Sequence, residues 1–260
     1  MDPQKTLENE FATLARNMPG FKRRDGQALM VEHIRQYIMA ADADDAVRPV
    51  SLLEGGTGTG KSIAYMLGVI PEALRTQKKV LLSTATIQLQ EQIYRRDLPA
   101  FLKAMGLSAQ IAHVKGWGRY LCAAKAESAI AAGLPEAEAA APMLAALQAK
   151  EWDGDLDAWK GESTRAQSLA ASSGSCTRRS CPKSDTCGAF QSRSTAKDAD
   201  IVVTNHALAL ASMLQPDGKD LVGLDPAGTI AVFDEAHQLE SVARSALASR
   251  LVVTHLPRDL

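Results

Sequence analysis

The sequence predicts an α/β chain in which a parallel sheet is interrupted by a polar, cysteine-bearing insert. Three observations carry this expectation. Apolar runs of strand length alternate with helical stretches, the order that builds parallel βαβ units. A glycine-rich stretch, Gly55–Ser62, follows one such run and opens a helix. Between residues 150 and 197 the composition turns polar, and three of the four cysteines fall there.

In chain order, residues 5–18 and 27–40 place apolar side chains at helical spacing, the first ending at Pro19-Gly20. The run Val50-Ser51-Leu52-Leu53 reads as a strand leading into the glycine loop, and a helix follows from Lys61. Residues 80–86 read as a buried strand, Ile87–Leu98 as a helix and 111–114 as a short strand. Residues 123–149 are alanine-rich and helical in propensity, with breaks at Gly133 and Pro135. The stretch 150–197 holds too little apolar material for a core of its own, so a metal or cluster is the expected staple. Strand character returns at 200 and again at Thr229–Phe233, taken as a second buried run.

Hydrophobic residues make up 46% and charged residues 23% of the 260, which suits a soluble domain with a substantial core. No apolar run is long enough for a membrane span, so no membrane partner is expected. The first residues lack a signal-peptide pattern, which makes a cytoplasmic location the expectation. The net charge of −1 is not the bulk signature of a nucleic-acid binder. Any grip on nucleic acid must then be local, with Lys22-Arg23-Arg24, Arg95-Arg96 and Arg178-Arg179 as basic strips. Each strip taken alone reads equally as a solvated surface.

Gly55, Gly56, Thr57, Gly58, Thr59, Gly60, Lys61 and Ser62 fit the pattern G-x-x-x-x-G-K-[ST]. Glycines let successive backbone N–H groups curl around phosphates, and the helix that follows aims its positive end at the same anion. The Lys61 ammonium suits the β- and γ-phosphates of ATP, and the Ser62 hydroxyl suits Mg2+. Asp234, Glu235, Ala236 and His237 follow the apolar run Ile230–Phe233, at the carboxyl end of a strand where ligands bind in open α/β sheets. Asp234 is the candidate second Mg2+ residue, Glu235 the candidate group that polarises attacking water, and His237 the candidate coupling residue. Alone, the acidic pair would read as a helix cap.

Cys176 and Cys181 enclose four residues, Cys181 and Cys187 enclose five, and Cys122 lies far upstream. Such clustering in a cytosolic chain points to a metal or cluster rather than disulfides. Arg178, Arg179 and Lys183 favour the thiolate form. The spacing alone leaves an iron–sulfur cluster and zinc both open.

Taken together, EGGTGTGKS, STATIQLQEQI, the four cysteines, TNHALAL and FDEAH resemble, in that order, the DinG-type helicases, which are similar to XPD in helicase superfamily 2. The resemblance covers about Phe21 to Leu251. It implies a RecA-like P-loop motor domain interrupted by an inserted, mostly helical iron–sulfur domain. It implies a [4Fe-4S] cluster on Cys122, Cys176, Cys181 and Cys187, and ATP-dependent 5′→3′ unwinding of DNA in repair or in removal of DNA–RNA hybrids. Arg24-Asp25-Gly26-Gln27 resembles the adenine-reading motif, with Gln27 on the base edge. Ser83, Thr84 and Thr86 resemble the segment that touches the DNA backbone, and Asn205 and His206 resemble residues lining the DNA path. Trp117, Arg119 and Tyr120, leading into the first cysteine, either stack on a splayed base or pack against the cluster.

On this resemblance, residues 1–115 form the first part of motor domain 1 and 116–197 the iron–sulfur insert. Residues 198–245 return to the motor domain with the acidic quartet, and 246–260 begin a truncated arch insertion. No second motor domain fits after the quartet. The chain is therefore expected to act as a fragment that binds ATP weakly and neither hydrolyses it efficiently nor unwinds DNA alone, its nucleic-acid partners being single-stranded DNA and DNA duplex or DNA–RNA hybrid. The competing expectations are an iron–sulfur module that binds single-stranded DNA or senses redox state without motor activity, and a zinc-bearing P-loop ATPase with no nucleic-acid partner.

Overall fold

The computed structural model describes residues 3–43, 50–56, 58–161, 165–172, 174, 176–177, 180–214, 222, 224–225 and 228–247. Thr57, Arg178, Arg179 and residues 248–260, which include most of the expected arch segment, lie outside the described residues.

Two helices precede the sheet. In α1 (Pro3–Asn17) the i, i+4, i+7 set Leu7, Phe11 and Leu14 is buried. Helix α2 (Asp25–Ala43) lies against α3 (Lys61–Arg75), and the two approach closely at Gly68. A Cβ there would come within 2.9 Å of the Ile34 side chain, so glycine sets the crossing distance. Helix α3 is the central helix: Ala64, Met66, Leu67, Val69 and Ile70 are each at most 2% exposed. Burial of each of the larger ones stabilises the fold by about 1.5–3 kcal/mol.

Strand β1 (Lys79–Thr84) runs into α4 (Ile87–Gln92), whose first turn is capped by Thr86 accepting from the Leu89 N–H at 3.2 Å. A π-helical turn at Ile93–Asp97 carries α4 on into α5 (Leu98–Met105). Strand β2 (Ile111–His113) follows. Helices α6 (Ala123–Ala131), α7 (Ala137–Gln148) and α8 (Gly188–Asp198) come before β3 (Ile201–Asn205). Helix α9 (His206–Met213), β4 (Thr229–Phe233) and α10 (Leu239–Leu247) complete the described elements.

All strand pairs are parallel, in the order β2-β3-β1-β4, with Val80 opposite both Ile201 and Ile230. Parallel pairing requires long crossovers, and the segment between β2 and β3 is one such excursion. No described helix is long and apolar enough to cross a membrane.

Two expectations need correction. Residues 50–53 form no strand, and Val50 and Leu52 are 80% and 85% exposed. The pattern signalled a buried strand, but no described strand pairs with this stretch. In consequence β4, expected to be buried, is an edge strand with none of its five residues fully buried. The excursion between β2 and β3 has a core drawn mainly from its two alanine-rich helices, with the 150–197 stretch contributing few side chains to it. Leu121, Ala126, Met143, Leu144, Leu147 and Leu169 pack between α6 and α7, with Trp152 and Trp159 against them. Small alanines at the contact let the two helices come close, and the tryptophans from the polar stretch fill the remainder.

A buried ion network ties this excursion to the sheet. Lys115, just past β2 and 1% exposed, donates to Asp155 at 2.6 Å and Asp157 at 3.0 Å, and also pairs with Glu91 on α4.

Candidate functional site

The glycine loop is held by its own turn. The Thr59 hydroxyl donates to the Gly56 carbonyl at 2.9 Å, and the Lys61 ammonium curls back to the Gly55 carbonyl at 3.0 Å. Gly60 has φ +78°, and a Cβ on it would lie 2.0 Å from Nε2 of Gln27. Both the backbone conformation and the close approach demand glycine there. Gln27, 2% exposed, accepts from the Arg24 N–H at 3.1 Å and donates to the Gly60 carbonyl at 3.2 Å. It therefore joins the start of α2 to the phosphate loop. Beside it lies an open cavity of about 220 Å³ lined by Met18, Phe21, Arg24, Gln27, Gly60 and Ile63. The apolar walls contributed by Met18, Phe21 and Ile63 carried no motif signal in the sequence.

Parallel pairing of β4 with β1 brings the acidic quartet to this loop. The Asp234 N–H donates to the Ser83 carbonyl at 2.9 Å, which continues the ladder one residue past the strand. Glu235 sits in the left-handed region, φ +56°, unusual for a residue with a Cβ. Its N–H donates to Oδ1 of Asp234 at 3.0 Å, and its carboxylate lies 3.7 Å from Nζ of Lys61. His237, 70% exposed, lies 3.4 Å from the same carboxylate. Burial and the neighbouring Glu235 charge push the Asp234 carboxyl above its usual range, with Lys61 opposing them. Tyr65 of α3 donates to Oδ2 of Asp234 at 3.4 Å, and its phenol is held far above its ordinary range, chiefly by burial and by the Asp234 charge. Lys61, Ser62, Asp234 and Glu235 thus share one end of the sheet with Gln27.

The residues expected to meet DNA fall into two groups. Thr86 and Arg119 are exposed and Asn205 is partly so. Thr86 caps α4, Asn205 caps α9 by accepting from the Leu208 N–H at 2.9 Å, and Arg119 pairs with Asp157 at 3.1 Å. Ser83, Thr84 and His206 are at most 1% exposed, so their side chains offer no surface to a backbone phosphate, contrary to the expectation from their residue types. Instead the Ser83 hydroxyl lies 2.7 Å from Nδ1 of His206, whose ring packs against Phe233 directly beneath Asp234. Trp117 and Tyr120 are also buried, at 9% and 4% exposed. The Arg193 guanidinium covers the Trp117 ring at 4.2 Å, so packing rather than base stacking describes both aromatics here.

The four cysteines, none of them in a disulfide, gather around one cavity of about 30 Å³, lined also by Trp117, Phe190 and Lys183. Burial pushes the Cys187 thiol up, and the nearby Cys176 and Cys122 add to the shift. Among the described residues no three side chains of His, Cys, Asp or Glu converge as they would on a single metal ion.

Residues 174–256 match the DEAD_2 family. The chain is 36% identical to the ATP-dependent DNA helicase YoaA of Escherichia coli (strain K12) over 91% of its own length and 37% of that protein. It is 36% identical to the ATP-dependent DNA helicase DinG of Photobacterium profundum over 76% of its length and 31% of that protein. It is 29% identical to the ATP-dependent DNA helicase DinG of Escherichia coli (strain K12) over 94% of its length and 36% of that protein. The chain thus spans about a third of the length of the curated relatives it matches, and over that span it is similar to the ATP-dependent DNA helicases DinG and YoaA.

Proposed function

We propose that this chain is the ATP-binding part of a DNA helicase motor and that its four cysteines hold a [4Fe-4S] cluster. The observation that carries the first half is the 3.7 Å approach of Lys61 to Glu235, with Asp234 beside them, at the mouth of the glycine loop. Each residue then has a role that its position supports. Gln27 and the cavity lined by Met18 and Phe21 hold the adenine. The loop N–H groups and Lys61 bind the β- and γ-phosphates, Ser62 and Asp234 hold Mg2+, and Glu235 orients and polarises the attacking water. Lys61 exchanges its carbonyl and carboxylate partners for the phosphates. His237, on the exposed side of Glu235, is placed to couple hydrolysis to movement along DNA. The names of the relatives, ATP-dependent DNA helicases, support DNA as the substrate. Single-stranded DNA, duplex or DNA–RNA hybrid unwound 5′→3′ in repair, a second motor domain and a cytoplasmic location are proposed on the motif resemblance alone.

The chemistry of the donor set fits the cluster: four cysteines, none in a disulfide, line one cavity between aromatic walls, with the cationic Lys183 beside them. Four cysteine thiols lining one cavity are a donor set that a polynuclear cluster uses. Bound there, the cluster would supply a one-electron couple and a cross-link between the start of α6 and the start of α8. Residues 116–197 are accordingly proposed as a cluster lobe.

The test is binding of a fluorescent ATP analogue to the wild-type chain and to Lys61→Ala, with iron and sulfide assayed in the same preparations. Mg2+-dependent binding lost in Lys61→Ala, together with a brown protein, supports the reading. Equal binding by both chains would overturn the nucleotide site, and a colourless zinc protein would overturn the cluster.

A further inference from the structure

Tyr65 lies one helical turn beyond Ser62 on α3 and is the only residue with a polar side chain among the buried positions of that helix. Its neighbours Ala64, Met66 and Leu67 are packed wholly in the core, and the ring itself is 6% exposed. Phenylalanine would fill this position without desolvating a hydroxyl, so burial of the phenol requires partners. It has one across the fold: Oη donates to Oδ2 of Asp234 at 3.4 Å, across 169 positions of sequence. Tyr65 therefore links α3, the helix that carries Ser62, to Asp234.

We propose that Tyr65 is a positioning residue for the magnesium site. The inference rests on the nucleotide-binding reading above, in which Ser62 and Asp234 are the two protein groups facing Mg2+. Ser62 is fixed by α3, but Asp234 sits on the edge strand β4 and needs an anchor from the helix side. The phenol provides that anchor by restraining Oδ2, while the Glu235 N–H restrains Oδ1 at 3.0 Å. With both oxygens restrained, the carboxylate is oriented before the metal arrives, and the ordering cost of metal binding is lowered. In this role Tyr65 acts through Asp234.

The experiment is a Mg2+ titration of fluorescent-ATP binding to the whole chain, run beside binding in EDTA. For Tyr65→Phe the expected result is a Mg2+ midpoint raised roughly three- to tenfold, the loss of one long hydrogen bond of ordinary net strength, with affinity in EDTA unchanged. A folded Tyr65→Phe chain with the wild-type midpoint, or one that loses affinity equally with and without Mg2+, overturns the proposal. Should the Phe variant not fold, Tyr65→Met removes the same hydroxyl with a side chain that adapts to the space, and the same outcomes apply. Wild-type chain that binds no nucleotide, or Lys61→Ala that binds as well as wild type, instead sinks the underlying reading, and the role of Tyr65 with it.

Discussion

Nζ of Lys115 lies 2.6 Å from Oδ2 of Asp155, and neither side chain is more than 4% exposed. This buried pair spans the junction between the sheet and the cysteine-bearing excursion. Burial opposes the ammonium charge, but hydrogen bonds to Asp155 and Glu91 outweigh it and hold Lys115 above its usual range. Replacing it with Met leaves Glu91, Asp155 and Asp157 facing one another without a cation. The expected cost is about 3–5 kcal/mol, the usual penalty for breaking a buried pair from one side. Urea denaturation of Lys115→Met would read it, and a loss below about 1 kcal/mol would show that solvent reaches the network.

His113 supplies a pH dependence. Burial and the nearby Lys115 charge lower its pKa to about 4. The unfolded chain takes up a proton near pH 6.5, while the folded chain does not until about pH 4. The unfolded state therefore binds more protons between these values, so stability falls as the pH drops through that window. The full loss by pH 4 is at most about 3 kcal/mol. Melting temperatures across the window should fall less steeply for His113→Gln than for wild type.

Gly60→Ala tests the join between the adenine-side residues and the phosphate loop. The new Cβ would stand 2.0 Å from Nε2 of Gln27 at a φ of +78°. Nucleotide affinity should drop at least tenfold, since Gln27 must leave the Gly60 carbonyl and the loop must change shape. Gln27→Ala in the same chain should relieve part of the clash and restore stability, measured by thermal melting, without restoring adenine preference.

Much of the site was legible because its chemistry is local in sequence. The glycine loop with Lys61 and Ser62, and the Asp234-Glu235 pair, are contiguous motifs whose spacing has one use, and a parallel sheet leaves them at the same end. The order of the cysteines was legible too, although their meeting at one cavity depends on Trp117 and Phe190, which no spacing rule includes. What was not legible is which way side chains point. Ser83, Thr84 and His206 have the residue types of backbone-contacting groups, yet alternation and a two-sided core turn them inward. Lys115 reads as an ordinary surface charge, because its three carboxylate partners come from two distant stretches. The run at 50–53 has strand composition, but forming a strand also needs a partner backbone.

Ser83→Ala separates the inward and outward readings of that residue. Removing the hydroxyl leaves Nδ1 of His206 unpaired in a buried site, at an expected cost of about 1–3 kcal/mol. In folded protein the salt dependence of single-stranded DNA binding should be unchanged, because the group removed faces no phosphate. A shallower salt slope would put Ser83 at the surface.

Serine replacement of Cys122, Cys176, Cys181 or Cys187 should bleach the absorbance near ~400 nm expected of thiolate-ligated clusters. The α6–α7 pair should keep its helical circular dichroism, because Leu121, Met143 and Leu147 pack without the sulfurs. ATP-analogue binding should persist, since no cysteine approaches the glycine loop in the fold.

The open side of β4 sets a limit on how firmly the acidic pair is held. Among the described residues, Asp234 hangs from an outermost ribbon bonded on one flank only, whereas Lys61 opens a helix with a deeply buried face. Fraying of that ribbon would swing the carboxylates away while the lysine stayed in place. Amide hydrogen exchange should therefore be fastest through Ile230–Phe233 and slowest through Leu67–Ile70. Mg2+ with nucleotide should slow the former far more than the latter.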